Sequence, residues 1–126
     1  MNKEIINSTL SPAPIGPYNQ AVKVGNLLFV SGQIAIDEAT GHLIQESIEM
    51  ETEQVMKNLS YILAEAGSDF SKVVKASIFI NDMNNFAKIN EVYAKYMSEP
   101  YPARETVEVS KLPKNVNVEI SVIALI

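Results

Sequence analysis

A change of period constrains this chain more than any other feature. From Ile48 to Ala66 the spacing of the face formed by Ile48, Thr52, Val55, Leu59, Ile62, Leu63 and Ala66 is three to four, whereas the segments on either side alternate with a period of two. A helix with one such stripe must lay it against another element. Glu49, Glu51, Glu53, Lys57 and Glu65 fall largely off the stripe. The early glutamates suit the positive end of the helix dipole, and Gly67 stands where a left-handed residue would close the helix.

The flanking segments supply the surface to pack on. In "NQAVKVGNLLFVSG" two apolar runs flank Gly25-Asn26, a connection that permits positive φ, which predicts a hairpin of strands near 19–24 and 27–32. "KVVKASIFIND" places Val74, Ala76, Ile78 and Ile80 on one face of a further strand. Helical spacing returns in "DMNNFAKINEVYAKYM" through Phe86, Ile89, Tyr93, Tyr96 and Met97, with Asp82 or Asn84 as a cap and Pro100 limiting the far end. Strands near 103–110 and 116–125 follow, joined by "SKLPKN". The prolines of "SPAPIGPY" keep residues 11–18 extended, and "DEATGHL" reads as a turn into a short, loosely specified segment.

The order β-β-(β)-α-β-α-β-β predicts an α+β fold: one mixed sheet with both helices on one face. The other face would be left bare and apolar, and further copies of the chain are the natural cover for it. A length of 126 residues suits a single domain over 1–126.

Composition removes several kinds of chemistry. With no cysteine there is no disulfide, thiolate metal site or thiol nucleophile. One histidine, His42, argues against a histidine triad or a multi-histidine metal centre. A net charge of −5 without a basic run opposes binding to nucleic acid or an anionic membrane. The N-terminus has neither a signal-type apolar region nor a spanning segment, so a soluble cytoplasmic protein is expected.

Two charges sit oddly within the strands. Arg104, in "PYPARETVEV", shares a side with Thr106 and Glu108 where the strand begins. A guanidinium there is either a structural ion-pair partner or a fork for a substrate carboxylate. Glu119 has the same oddity in "NVNVEISVIALI". If the last two strands are neighbours, the two side chains meet on one face, either satisfying each other or dividing the work of carboxylate binding and proton transfer. Ser31-Gly32 of "VSGQ" ends a strand where a backbone amide could approach a ligand, though Ser31 lacks a histidine base to make it a nucleophile. Tyr18 could lid a pocket or merely pack. Asn90 either satisfies nearby backbone or faces a pocket.

Taken together, "APIGPYNQAVKVGNLLFVSGQI", "VVKASIFINDMNNFAKINEVYAKYM", "PAR" and "LPKNVNVEISVIAL" resemble the reactive intermediate deaminase A (RidA, YjgF-like) family, in register from about Ser11 to Leu125. The resemblance implies a chorismate-mutase-like fold with a six-stranded sheet, assembled as a homotrimer with ligand clefts between subunits. It implies hydrolysis of 2-enamine and 2-imine acids, such as 2-aminoacrylate and 2-iminobutanoate, to 2-oxo acids and ammonia. No cofactor or metal is implied, and the imines would come from pyridoxal-phosphate-dependent serine and threonine dehydratases. Carried onto this chain, the carboxylate-binding arginine is Arg104 and the glutamate associated with the catalytic water is Glu119. Tyr18, Ser31, Gly32, Asn90 and Thr106 become substrate-binding residues, Thr106 standing where many relatives have cysteine. Glu105 departs from the usual serine or threonine: strand alternation sends its side chain away from Arg104, whereas a bulge turning it inward would set a second anion in competition for Arg104 and weaken carboxylate binding. The alternative is a binding module that senses 2-oxo acids in the same cleft without turnover. A ribonuclease or translation-inhibitor role, attached to some relatives, is opposed by the acidic balance.

Overall fold

The computed structural model describes residues 2–126, and its sheet is built in the order β1-β2-β3-β8-β6-β7. The strands of this six-stranded sheet are β1 (Lys3–Ile6), β2 (Ala21–Val24), β3 (Leu27–Gln33), β6 (Val73–Ile80), β7 (Ala103–Glu108) and β8 (Val118–Leu125). A separate two-residue hairpin joins β4 (Ile36–Asp37) to β5 (His42–Leu43), and the helices are α1 (Ile48–Glu65) and α2 (Phe86–Tyr96). The fold is therefore α+β with one mixed sheet, as the period changes require.

Local chemistry sets the boundaries. Gly25 takes a φ of +61° in the β2–β3 turn, which glycine reaches without strain. The Ser47 hydroxyl accepts from the Met50 amide at 3.0 Å and starts α1, and Gly67, at φ +76°, follows its end. Asp82 caps a short 3-10 turn over Met83–Asn85 that leads into α2, its carboxylate accepting from the Asn84 amide at 2.9 Å.

Both helices cover one face of the sheet. Leu28 and Val30 of β3, Ala76, Ile78 and Ile80 of β6, and Val118, Ile120 and Val122 of β8 are buried against them. Val55, Leu59, Ile62 and Leu63 of α1, with Ile89 and Tyr93 of α2, complete this core. Phe29, Val107 and Leu125 on the opposite face are exposed, so the predicted bare side is present in the protomer.

Four features depart from or add to the sequence reading. The N-terminal residues contribute a strand, β1, antiparallel to β2, which the short "KEII" alternation did not reveal. Strands β7 and β8 are not neighbours: β6 lies between them, parallel to β7 and antiparallel to β8. Among the described residues only the β6–β7 pair is parallel, because the final strand inserts between β3 and β6 and separates the two strands that α1 connects. Finally, Glu51 is fully buried, not on the solvated side of α1.

Candidate active site in two halves

Arg104 is the second residue of edge strand β7 and pairs in register with Ala76, whose side chain lies beneath the helices. Arg104 therefore rises on the helix side, where α2 meets it. Its Nη1 donates to Asn90 Oδ1 at 2.6 Å. The guanidinium carbon lies 5.1 Å from the Tyr93 ring centroid and 5.7 Å from that of Phe86. Two aromatic faces and one amide thus hold a planar cation that still has donors free for an anion. The opening beside it has a volume of about 320 Å³ and is lined by Asn90, Tyr93, Ala94, Met97, Tyr101 and Pro102. Burial raises the Tyr93 hydroxyl above its ordinary pKa, against the opposing pull of Arg104, so the ring stays neutral beside the cation.

Thr106 lies two residues on, facing the same way as Arg104. Its hydroxyl oxygen is enclosed and has no hydrogen-bond partner, so the side chain does not line the opening. Asn90 takes the pocket-facing option left open by the sequence.

Glu119 is the second residue of β8 and pairs with Phe79, on the opposite face of the sheet from Arg104. Its half-buried carboxylate lies against Gly32, which occupies an irregularity in the β3–β8 register between Val30 and Gln33. A Cβ at Gly32 would overlap Glu119 Oε2, so the carboxylate takes the space a side chain would fill. Burial raises the Glu119 pKa above the ordinary carboxylate value. A smaller pocket of about 130 Å³ joins Glu119 and Gly32 to Tyr18, Ile15, Pro113 and Lys114. Tyr18 is exposed at its rim. The Ser31 hydroxyl donates to the Asn19 carbonyl at 2.6 Å, a backbone tie that fits its lack of a base.

The proline segment beside this pocket is fastened by Gln20. Its Nε2 donates to the carbonyls of Ser8, Ser11 and Pro12 at 3.1, 3.2 and 2.9 Å, and its Oε1 accepts from the Ser8 amide at 2.6 Å. Sequence reasoning passed over Gln20. Its one signal is a polar residue at the head of an apolar strand, next to a proline-rich stretch with few amide donors of its own.

The predicted residues therefore form two groups. Arg104 and Asn90 belong to one, and Tyr18, Gly32 and Glu119 to the other, while Ser31 precedes Gly32 on β3 without lining the pocket. The expectation that Arg104 and Glu119 meet on one face is wrong for the protomer. Their register partners on β6 are three positions apart, about 10 Å along the sheet, with two strand spacings of about 4.8 Å between β7 and β8. The side chains also leave opposite faces.

Glu105 does follow strand alternation. It leaves on the face opposite Arg104, where Ser77 donates to its carboxylate and Lys75 Nζ lies 3.3 Å away. The Ser77 hydrogen bond, with help from Lys75, holds its pKa below the usual carboxylate value. It does not compete for Arg104.

Comparison with known proteins places the chain in a family. The chain belongs to the endoribonuclease L-PSP family, whose model matches residues 8–126. A RutC family protein of Pyrococcus abyssi is 50% identical over 124 residues, covering 98% of both chains. The chloroplastic Reactive Intermediate Deaminase A of Arabidopsis thaliana is 45% identical over 98% of this chain and 66% of its own length. The crystal structure of RidA from the Antarctic bacterium Psychrobacter superposes with a TM-score of 0.93 at 42% identity, covering 98% of this chain and 99% of the other. The resemblance seen in the sequence motifs is thus a family membership, and it supports an activity of the RidA type.

Proposed function

We propose that this protein hydrolyses short-lived 2-imino acids, including those formed from 2-enamino acids, to 2-oxo acids and ammonia. The cleft would join the Arg104 half of one copy to the Glu119 half of another, in a homotrimer. The observation that carries this reading is the state of Arg104: a guanidinium held by Phe86, Tyr93 and Asn90, with free donors turned to an opening of carboxylate size or larger.

The chemistry asks little beyond positioning. A protonated 2-imino acid is already electrophilic at C2. Arg104 binds its carboxylate, and Glu119 takes a proton from a water as the water oxygen bonds to C2. Glu119 then returns that proton to nitrogen and, as the C–N bond of the carbinolamine breaks, takes the remaining hydroxyl proton, so that the 2-oxo acid and ammonia leave and the ammonia carries that last proton away as ammonium. A carboxylate whose pKa is raised by burial is a better base for this exchange than an ordinary one. The placement of the two residues on opposite faces of one sheet supports a cleft that takes them from different copies, and the exposed apolar residues Phe29, Val107 and Leu125 favour packing between copies. A net charge of −5 disfavours the nuclease activity in the family's description.

A coupled assay tests the reading. Threonine dehydratase supplies 2-iminobutanoate, semicarbazide traps what survives, and wild type is compared with Arg104→Ala and Glu119→Gln. Wild type should divert the flux to free 2-oxobutanoate and both variants should not. Wild type that binds 2-oxobutanoate without accelerating hydrolysis would favour the sensing module.

A further inference from the structure

Glu51 is a costly residue for the layer it occupies. It lies in the first turns of α1 with 0% exposure. Among the described residues the only ion pair is Lys75–Glu105, so no cation offsets the Glu51 carboxylate. Burial of such a group is tolerable only when its oxygens are satisfied by hydrogen bonds. One residue satisfies both. The Asn117 amide donates to Oε2 at 2.8 Å, and Asn117 Nδ2 donates to Oε1 at 2.7 Å.

The rest of Asn117 is equally committed. Its Oδ1 accepts from Asn81 Nδ2 at 3.2 Å, and its carbonyl accepts from the Asn81 amide at 3.2 Å. A carboxylate can only accept, so Glu51 dictates which way the Asn117 amide points, and Asn117 in turn dictates Asn81. The direction of the relay shows at its far end, where Asn81 Oδ1 is buried without a partner.

Asn117 is also the bend between the 3-10 turn Pro113–Asn115 and β8. Within that turn Lys114 and Asn115 hold left-handed φ values of 56° and 55°. Pro113 and Lys114 wall the pocket that contains Glu119, two residues beyond the bend. We infer that Glu51 is a positioning residue for the Glu119 half of the site: through Asn117 it fixes the bend from which both the pocket wall and Glu119 take their places. It touches no substrate. The inference rests on the deaminase reading only for what the positioning serves.

The relay also predicts which substitution rescues it. In Glu51→Gln the new Nε2 can donate to Asn117 Oδ1 if the Asn117 amide turns over. If the Asn81 amide turns over as well, Asn117 Nδ2 donates to Asn81 Oδ1, and the relay runs in reverse with Asn81 Nδ2 in place of Oδ1 as its one unpartnered end. Glu51→Met offers no acceptor and leaves the Asn117 amide unpaired.

The test compares wild type, Glu51→Met and Glu51→Gln as full chains, by amide exchange at residues 116–118, NMR titration of the Glu119 carboxyl, and kcat and KM for 2-iminobutanoate. Glu51→Met should speed exchange by about tenfold or more and move the Glu119 titration. It should lower kcat about 10- to 100-fold with KM little changed, while Glu51→Gln stays within about threefold of wild type. A folded Glu51→Met with wild-type exchange, titration and kcat would overturn the inference, as would a Glu51→Gln no better than Glu51→Met. If Glu51→Met does not fold, Asn117→Ser, which keeps the backbone donor and loses Nδ2, must show the same changes in exchange and titration. If wild type hydrolyses no imine, the deaminase reading falls, and exchange and titration alone decide the positioning claim.

Discussion

The two halves of the candidate site solve opposite electrostatic problems. Arg104 sits on an edge strand, exposed, with aromatic rings and one amide orienting a charge that stays solvated. Glu119 sits on an interior strand, half-buried against a glycine, where the charged form is disfavoured. One is suited to seize an anion from water, the other to exchange a proton. The contrast teaches that they should fail differently when altered.

The largest effects come from removing each in turn. Arg104→Ala should lower kcat/KM about 10²- to 10³-fold, mostly through weaker substrate binding, since two charge-assisted hydrogen bonds are lost. Arg104→Lys should recover little, because an ammonium cannot reproduce the fork or its stacking between Phe86 and Tyr93. Glu119→Gln should act on kcat instead, by about 10²- to 10⁴-fold, and leave 2-oxobutanoate affinity near wild type. Steady-state kinetics beside calorimetric binding separates the signatures, and identical kinetic signatures would erase the distinction between the halves.

Gly32→Ala sharpens the Glu119 side. The new methyl must displace the carboxylate, so kcat should drop about 10- to 100-fold in a protein that still binds 2-oxobutanoate.

Smaller is the effect of pH on stability. A carboxyl whose folded pKa is raised binds its proton more tightly folded than unfolded. Its contribution to stability is therefore present at low pH and declines as pH rises from the ordinary carboxylate value through the raised one. Glu119→Gln should remove that decline and melt slightly higher than wild type at neutral pH, as expected where function holds a costly charge. The acid limb of kcat/KM should begin above the ordinary carboxylate range, because Glu119 must be ionised to accept a proton. Thermal melts and rate profiles across pH check both statements. The smallest effect should come from Glu105→Ser, which changes only the Lys75–Ser77 cluster on the other face and should leave 2-oxobutanoate affinity within about twofold.

Much of this was legible in the sequence because period reports burial directly. The stripe from Ile48 gave α1, and the alternation around Ile78 and Ile120 gave the strands that bury them. What alternation cannot give is the order of strands. It showed that Arg104 shares a side with Thr106, and that Glu119 opposes Val118 and Ile120. Which of those sides coincide depends on β6 lying between β7 and β8, a long-range fact absent from either segment. Glu51 escaped for a related reason. A glutamate beside Glu49 and Glu53 reads as part of a solvated acidic face, and its partner Asn117 lies 66 residues away. Phe86 and Tyr93 read as core positions of α2, and their second role as a cradle for Arg104 follows only from where the edge strand passes.

The central claim is that a working site takes Arg104 from one copy and Glu119 from another, and mixing two inactive variants tests it most directly. Arg104→Ala and Glu119→Gln proteins are combined in equal amounts, exchanged by denaturation and refolding, and assayed for imine hydrolysis. Random assembly gives about one interface in four an intact Arg104 facing an intact Glu119, so activity should rise to roughly a quarter of wild type. Mixed assemblies confirmed by mass that remain as inactive as either parent would contradict the account.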